Sequence, residues 1–450
     1  MEKFFKLQEH GTDVRTEIIA GVTTFLSMVY ILAVNPNILS YSGMDSASIF
    51  TATAISAAFA TLTMAFLANY PVALASGMGL NAYFAYTVCP MVGTDKPWQV
   101  ALAAVFVEGI IFILLSFTNF RESLVNDIPH NLKSSISVGI GLFIAIIGLK
   151  NSGAVSVTTE GGIALGSLGN AAICLSLVGI LVIAFLAHKG ARGAIFYGIL
   201  ITWVLGMIAQ AVGWYVPDPE AGVYSVYPNF SVSGVKLDYF FDFDFAWIGQ
   251  NLLSFAVIVF SFLYVDIFDT VGTLIGVASK AELLDDEGNL PRAKEALLSD
   301  AIGTVVGAAC GTSTVTSFVE SSAGAAAGGR TGLTSVTTGV LFIISLILSP
   351  LFLSVPSFAT TPALVYVGFL MMQQIKNVKF EDAPMSDVIS AFMAIIMMPF
   401  TSSIANGIMF GIISYIVLRV LEGKAKDIRP VMWISGLLFV AYMYVSIIQA

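Results

Sequence analysis

The chain has 450 residues, 57% of them hydrophobic and only 11% charged, with a formal net charge of −9. Soluble domains carry roughly 25% charged residues, so a soluble fold of this composition could not cover its surface. A polytopic membrane protein is what remains: at about 20 residues per helical crossing, it has room for a dozen or more spans and none for a sizeable soluble domain. The acidic balance, with no basic cluster, excludes a nucleic-acid partner.

The first 16 residues are polar and mixed in charge, so no secretory leader is expected. Apolar runs at 17–35, 49–69, 98–117, 132–149, 170–188, 193–213, 250–275, 331–353, 358–375 and 404–422 read as spans. Shorter or more polar candidates lie at 71–89, 295–311, 313–330 and 387–400. With these fourteen crossing and the N-terminus in the cytoplasm, every Lys and Arg except Lys96, Lys150 and Lys236 falls on the inner side, as the positive-inside rule demands. The bias holds only if the weak segments 71–89 and 313–330 both cross. The acidic, aromatic stretch 214–246 then becomes the largest external loop. A last apolar stretch, 431–449, suits either a fifteenth crossing or a helix lying along the interface.

Ala194–Leu205 and Gly407–Leu418 share five of twelve residues in register, including Gly198/Gly411 and Val204/Val417. They belong to the seventh and fourteenth spans, and the two weak segments are the third and tenth. An odd unit of seven inserts its copies in opposite orientations, the inverted repeat of secondary transporters. The tenth segment, Thr312 to Arg330, is rich in hydroxyls, glycine and alanine, and carries Glu320. Facing lipid, it would expose these groups at a cost of about several kcal/mol, so it must be wrapped by helices or line a cavity. Its β-branched start, Thr314-Val-Thr, suits extended backbone, and the Ser/Ala/Gly half suits a short packed helix. Pro71 to Ala82 is built the same way. Close helix packing accounts for Gly324 and Gly328 as readily, but two broken spans in matching places of inverted halves point to a midplane binding site.

Five acids stand inside spans: Glu108, Asp266, Asp269, Asp300 and Glu320. Asp266 and Asp269 are three apart on a helix and share one face, with Thr270 joining at i+4 from Asp266. No Lys or Arg lies deep in the same spans, so these carboxylates bind donors, titrate or do both. Asp269 could instead anchor a neighbouring helix, and Glu108 could make a packing hydrogen bond. Asp300, near the cytoplasmic end of its span, is expected to reach headgroups. His10, His130 and His188 sit in cytoplasmic segments, which disfavours a histidine relay or metal site. Cys89, Cys174 and Cys310 lie singly in or beside apolar runs as small hydrophobes.

Ala20 to Pro36, Gly77-Met-Gly-Leu-Asn-Ala-Tyr-Phe-Ala85, Asp266-Ile-Phe-Asp-Thr-Val-Gly-Thr273 and Thr312 to Thr331 resemble the purine permeases of the azaguanine-permease-like branch. These are adenine/guanine/hypoxanthine transporters within the nucleobase–ascorbate transporter superfamily, and the resemblance spans essentially the whole chain. It implies an all-α membrane protein of fourteen transmembrane segments in two inverted sevens, with short extended segments in spans 3 and 10. It implies a core domain (1–117 and 247–353) and a gate domain (118–246 and 354–430), and it does not account for the extra apolar segment (431–450). It also implies a homodimer in the cell membrane, elevator-like motion, no enzymatic activity and no cofactor, with the proton as coupling ion.

By motif match, Asp266 and Glu320 would hold the purine, Asn81 would support binding or transport, and Asp269 would tune the site. Thr316 and Ser317 join the substrate-binding candidates, and Asp266, Glu320 and Glu108 are the candidates for proton coupling. The ligand class suits the residues: carboxylates accept ring N–H groups well, backbone N–H groups at the breaks and the Asn81 amide can serve ring acceptors, and Phe318, Phe262 or Phe25 could stack on the ring. An anion carrier on the same fold is disfavoured by an acid-rich site without Lys or Arg. A nucleobase sensor without transport is the other rival. An intramembrane aspartyl protease would need its two aspartates on separate helices, one within Gly-x-Gly-Asp, and the chain has no such motif.

Overall fold

The computed structural model describes residues 2–117, 128–157, 163–191, 193–218, 223–231, 234–284, 290–381 and 383–449. Arg121, Arg192 and parts of the 214–246 loop lie outside the described residues. The first span is two helices in series, α1 (Val14–Met28) and α2 (Ile31–Leu39). The second is α3 (Ser46–Leu67). The third is strand β1 (Leu74–Ser76) followed by α4 (Met78–Tyr83), which continues through a π-turn over Phe84–Val88 to Cys89–Val92. Helices α5 (Pro97–Ser116), α6 (His130–Asn151), α7 (Ala171–His188) and α8 (Ala194–Ala211) complete the first seven. A short hairpin of β2 (Val155–Val157) and β3 (Ile163–Leu165) joins α6 to α7.

The second seven repeat the pattern. Helices α9 (Leu252–Lys280) and α10 (Ala293–Cys310) precede β4 (Val315–Ser317) and α11 (Ser321–Ala326), which together form the broken tenth span. Then come α12 (Gly332–Ser345), α13 (Ser357–Met372), α14 (Met385–Thr401) and α15 (Ile404–Leu421). Both weak segments therefore enter the bundle, and both break where the sequence turns from β-branched and apolar to small residues.

Packing sorts the helices into two groups. Helices α1 to α3, α5 and α9 to α12 pack on one another, while α6 to α8 and α13 to α15 form a second set. The ends are fixed locally: Asp13 and Asp45 accept the Thr16 and Ser48 amides at the N-termini of α1 and α3, each cap worth about 1 kcal/mol. Gly311, at φ +98°, ends α10 in the left-handed conformation that lets the chain turn straight into β4. Glu17, fully buried, ties the first span to the eleventh by accepting the Arg330, Thr331 and Thr334 amides and the Thr334 hydroxyl.

The segment left open in the sequence is α16 (Pro430–Gln449). It turns back along α15, where Gly436 lies against Ile412 and Ile416. Phe439 is fully buried, its ring 5.6 Å from that of Phe260 on α9. Tyr442 Oη reaches Met91 Sδ, 3.0 Å away at the far end of the third span. That path runs back along α15 and braces a helix of each group.

Candidate functional site

The two breaks meet. β1 and β4 pair antiparallel with Leu74 opposite Ser317, Ala75 opposite Thr316 and Ser76 opposite Val315. Beyond the ladder, the Gly77 amide donates to Thr314 O and the Phe318 amide to Ala73 O, both at 3.0 Å. A two-stranded ribbon this short would be marginal in water, and inside a membrane its outer edges need partners. Two threonines supply them. Thr61 on α3 accepts the Leu74 amide (2.9 Å) and donates to Leu74 O (3.1 Å). Thr304 on α10 does the same to Val315, at 3.2 and 2.9 Å. The second and ninth spans are seven apart, so the inverted repeat is visible at the level of single hydroxyls.

A cavity of about 550 Å³, its open mouth included, lies beside this ribbon. Gly77 to Leu80 of the third span and Thr316 to Glu320 of the tenth form one side, and Val265, Asp269 and Thr273 of α9 continue it. The opposite wall is apolar: Ile140 and Ile144 of α6, with Val367 and Met371 of α13. The cavity thus opens between the two helix groups. Asp269 and Glu320 are its acids, Thr316, Ser317 and Thr273 its hydroxyls, Phe318 its aromatic ring, and among the described residues no Lys or Arg lines it.

Other candidates lie behind this surface. Asp266 is fully buried and is not among the lining residues. Its carboxyl group and that of Glu108 face each other, and among the described residues neither Glu108 Oε1 nor Asp266 Oδ2 has a donor. Thr270 Oγ1 lies 2.9 Å from Asp300 Oδ2, 3.4 Å from Asp266 Oδ1 and 2.8 Å from Thr316 Oγ1. Ser317 donates to Asp300 Oδ1 at 3.3 Å, and Thr314 to Glu108 Oε2 at 3.5 Å. Thr316 and Ser317 of β4 therefore touch both the cavity and a buried acidic cluster. Although Asp266 and Asp269 are three apart, one faces the cluster and the other the cavity.

Asn81 is also buried behind the lining, its Oδ1 accepting from Ser76 Oγ at 2.8 Å and its Nδ2 donating to Ser76 O at 3.3 Å. It closes the turn at the third break. Phe262 is fully buried with its ring 4.8 Å from that of Tyr83, and the Phe25 ring sits 5.3 Å from that of Phe342. Of the three aromatic candidates, only Phe318 reaches the cavity.

One expectation is corrected. Asp300 does not reach headgroups; it is fully buried and accepts from Thr270 and Ser317. The signal was present in its neighbours: Ala296, Ser299, Ala301, Gly303, Thr304 and Gly307 make α10 a helix of small residues, built to be packed against rather than exposed. Tyr30 was missed as well. It stands between α1 and α2, and its hydroxyl donates to Glu320 Oε1 at 2.5 Å.

Residues 15–410 match the permease family. The chain belongs to that family. The permease is 42% identical over 441 residues to the adenine permease AdeP of Escherichia coli strain K12, covering 98% of this chain and 95% of that one. It is 41% identical over 448 residues to the guanine/hypoxanthine permease PbuO of Bacillus subtilis strain 168, covering 98% and 100%. Among solved structures, its fold is similar to the transmembrane domain of a cyanobacterial bicarbonate transporter, BicA (TM-score 0.62, 14% identity, 88% of this chain and 97% of that one). It is also similar to the murine Solute Carrier 26 family member A9 anion transporter in its inward-facing state (TM-score 0.60, 13% identity, 91% and 68%). At that identity the likeness is one of fold. The permease is a membrane transporter, not an enzyme, with two inverted sets of seven spans.

Proposed function

We propose that the permease imports purine bases (adenine, guanine or hypoxanthine) by proton symport, binding the base where the third and tenth spans cross. The observation that carries this is the chemistry of the cavity. It offers two carboxyl groups, three hydroxyls and the Phe318 ring, but among the described residues no cation. A neutral planar base has N–H donors for carboxylates and a face for an aromatic ring, and relatives about 40% identical are named for adenine or for guanine and hypoxanthine. An anion carrier on the same fold has the solved neighbours in its favour, but a small anion meets only acids and hydroxyls here.

In this reading Glu320 and Asp269 hold the base, Phe318 stacks on it, and Thr316 and Ser317 relay its presence to the acids behind. Asp266 belongs to that second layer. Glu108 and Asp266, facing each other with one undonated oxygen apiece among the described residues, form the place for the coupling proton, since one proton between two carboxyl groups removes their repulsion. The helix group bearing both breaks is the moving core (1–117 and 247–353). The group with α6 and α13 is the gate (118–246 and 354–430), whose apolar wall the core slides past. The N-terminus is cytoplasmic, the membrane is the cell membrane, and the protein is a homodimer.

Uptake of radiolabelled adenine, guanine and hypoxanthine by cells lacking their own purine permeases tests this. At least one base is expected to accumulate, and a protonophore to abolish accumulation. No uptake of any base sinks the substrate class, whereas uptake indifferent to the protonophore sinks the coupling.

A further inference from the structure

To accept from a base, the Glu320 carboxylate has to be aimed at the cavity. Glu320 precedes α11 with its side chain free of any capping role. Among the described residues its donor is Tyr30, fixed in the gap between α1 and α2 and 2% exposed. A tyrosine hydroxyl 2.5 Å from a carboxylate oxygen is a short, charge-assisted bond. It engages Oε1 of a side chain that lines the cavity.

We infer that Tyr30 is a positioning residue of the substrate site: its hydroxyl locks the Glu320 side chain in one orientation and presents a single carboxylate oxygen to the ligand. The break in the first span has the same purpose as the breaks in the third and tenth. It brings a side chain from between two helices onto the tenth-span acid. A Glu side chain has three rotatable bonds to settle before it can bind, and a fixed donor settles them in advance, which is where preorganisation gains affinity. The aromatic ring makes the donor itself rigid. The inference rests on the nucleobase reading of the cavity and adds a residue that never touches the base.

The test is base affinity of the purified, full-length protein, measured with adenine, guanine and hypoxanthine for the parent and for Tyr30→Phe. Phe keeps the ring and removes only the donor. The dissociation constant of the tightest-bound base is expected to rise about tenfold, as loss of one hydrogen bond to a charged group predicts, while the melting temperature of the base-free protein stays within about 2 °C. The decisive comparison repeats Tyr30→Phe on Glu320→Ala, where a residue acting only through Glu320 has nothing left to act on and the further loss is expected to be less than about twofold. If Glu320→Ala binds too weakly to measure, Glu320→Gln takes its place, and the Tyr30→Phe effect must shrink because the acceptor is no longer charged. Equal losses in both backgrounds, or none in the parent, overturn the inference. If Tyr30→Phe fails to fold, 3-fluorotyrosine at position 30 preserves the packing and changes only donor acidity, and unchanged affinity would then overturn it. A parent that binds no base at all sinks the nucleobase reading instead.

Discussion

The third and tenth spans are broken in the same way and used differently. Each supplies a three-residue strand and a short helix leading away from the crossing, and each strand is held by a buried threonine of the preceding span. The third break puts two glycines and the apolar Met78 and Leu80 at the cavity, and turns its one amide side chain, Asn81, back onto Ser76. The tenth break puts Thr316, Ser317, Phe318 and Glu320 there. Inverted duplication thus supplies a symmetric scaffold, and the chemistry has gathered on one copy. A site made of two equivalent halves would bind its ligand about the symmetry axis; this one has a bare wall and a functional wall.

If the tenth break holds the chemistry, Glu320→Gln should be the most damaging single change. It keeps the shape, the Tyr30 partner and the packing, and removes the charge. Transport is expected to fall about 100-fold or more, since a hydrogen bond to a charged group contributes about 1.5–3 kcal/mol and the amide's NH₂ also brings a donor where a donor must be accepted. Initial uptake rates, normalised to protein in the membrane, check this. Normal transport by Glu320→Gln would return the site to the third break or elsewhere.

A second change attacks the bare wall. Gly77 has no side chain to contribute, but a Cβ there would lie 2.6 Å from Thr316 Cγ2. Gly77→Val therefore has to push the two breaks apart or unpair them, an overpacking cost of about 1–3 kcal/mol. Uptake is expected to fall about tenfold or more through displacement of Thr316, with a lower melting temperature as the companion sign. Loss of uptake without loss of stability would mean that Gly77 meets the ligand through its backbone, and that the third break is less bare than its lining suggests.

How much of this was readable in the chain differs between the two breaks and the acids. The breaks were legible because a run of glycines, serines and threonines, Thr312 to Arg330, cannot pass through hydrocarbon as a lipid-facing helix, and because the charge bias required both weak segments to cross. The division of labour among the acids was not. Helical spacing places Asp266 and Asp269 about 60° apart, but in a span enclosed on several sides that angle is enough for them to meet different neighbours. Asp300 looked peripheral by its place in the chain, although its depth is set by α3 and α5 packing around α10. Glu17 and Tyr30 carry no spacing signal at all; their partners, Thr334 and Glu320, are about 300 residues away. Local pattern finds the irregular backbone, whereas side-chain pairing across the repeat appears only once the halves are folded together.

At the threonine pair the two halves are chemically matched. Thr61→Val and Thr304→Val each remove a hydroxyl that both accepts from and donates to one strand residue, Leu74 or Val315. The isosteric valine leaves that residue's N–H and C=O without their buried partner, a cost of about 1–3 kcal/mol. If the scaffold is symmetric, the two variants should lower the melting temperature by similar amounts. If the function is not, their transport should diverge: Thr304→Val loosens β4, which carries Thr316 and Ser317 and leads directly into Glu320, while Thr61→Val loosens a strand that bears no cavity carboxylate. A several-fold lower uptake for Thr304→Val at equal stability loss is the expected result, read from melting curves and initial rates on the same preparations. Equal transport at equal stability loss would show that the ribbon acts as one unit and that the asymmetry ends at the side chains.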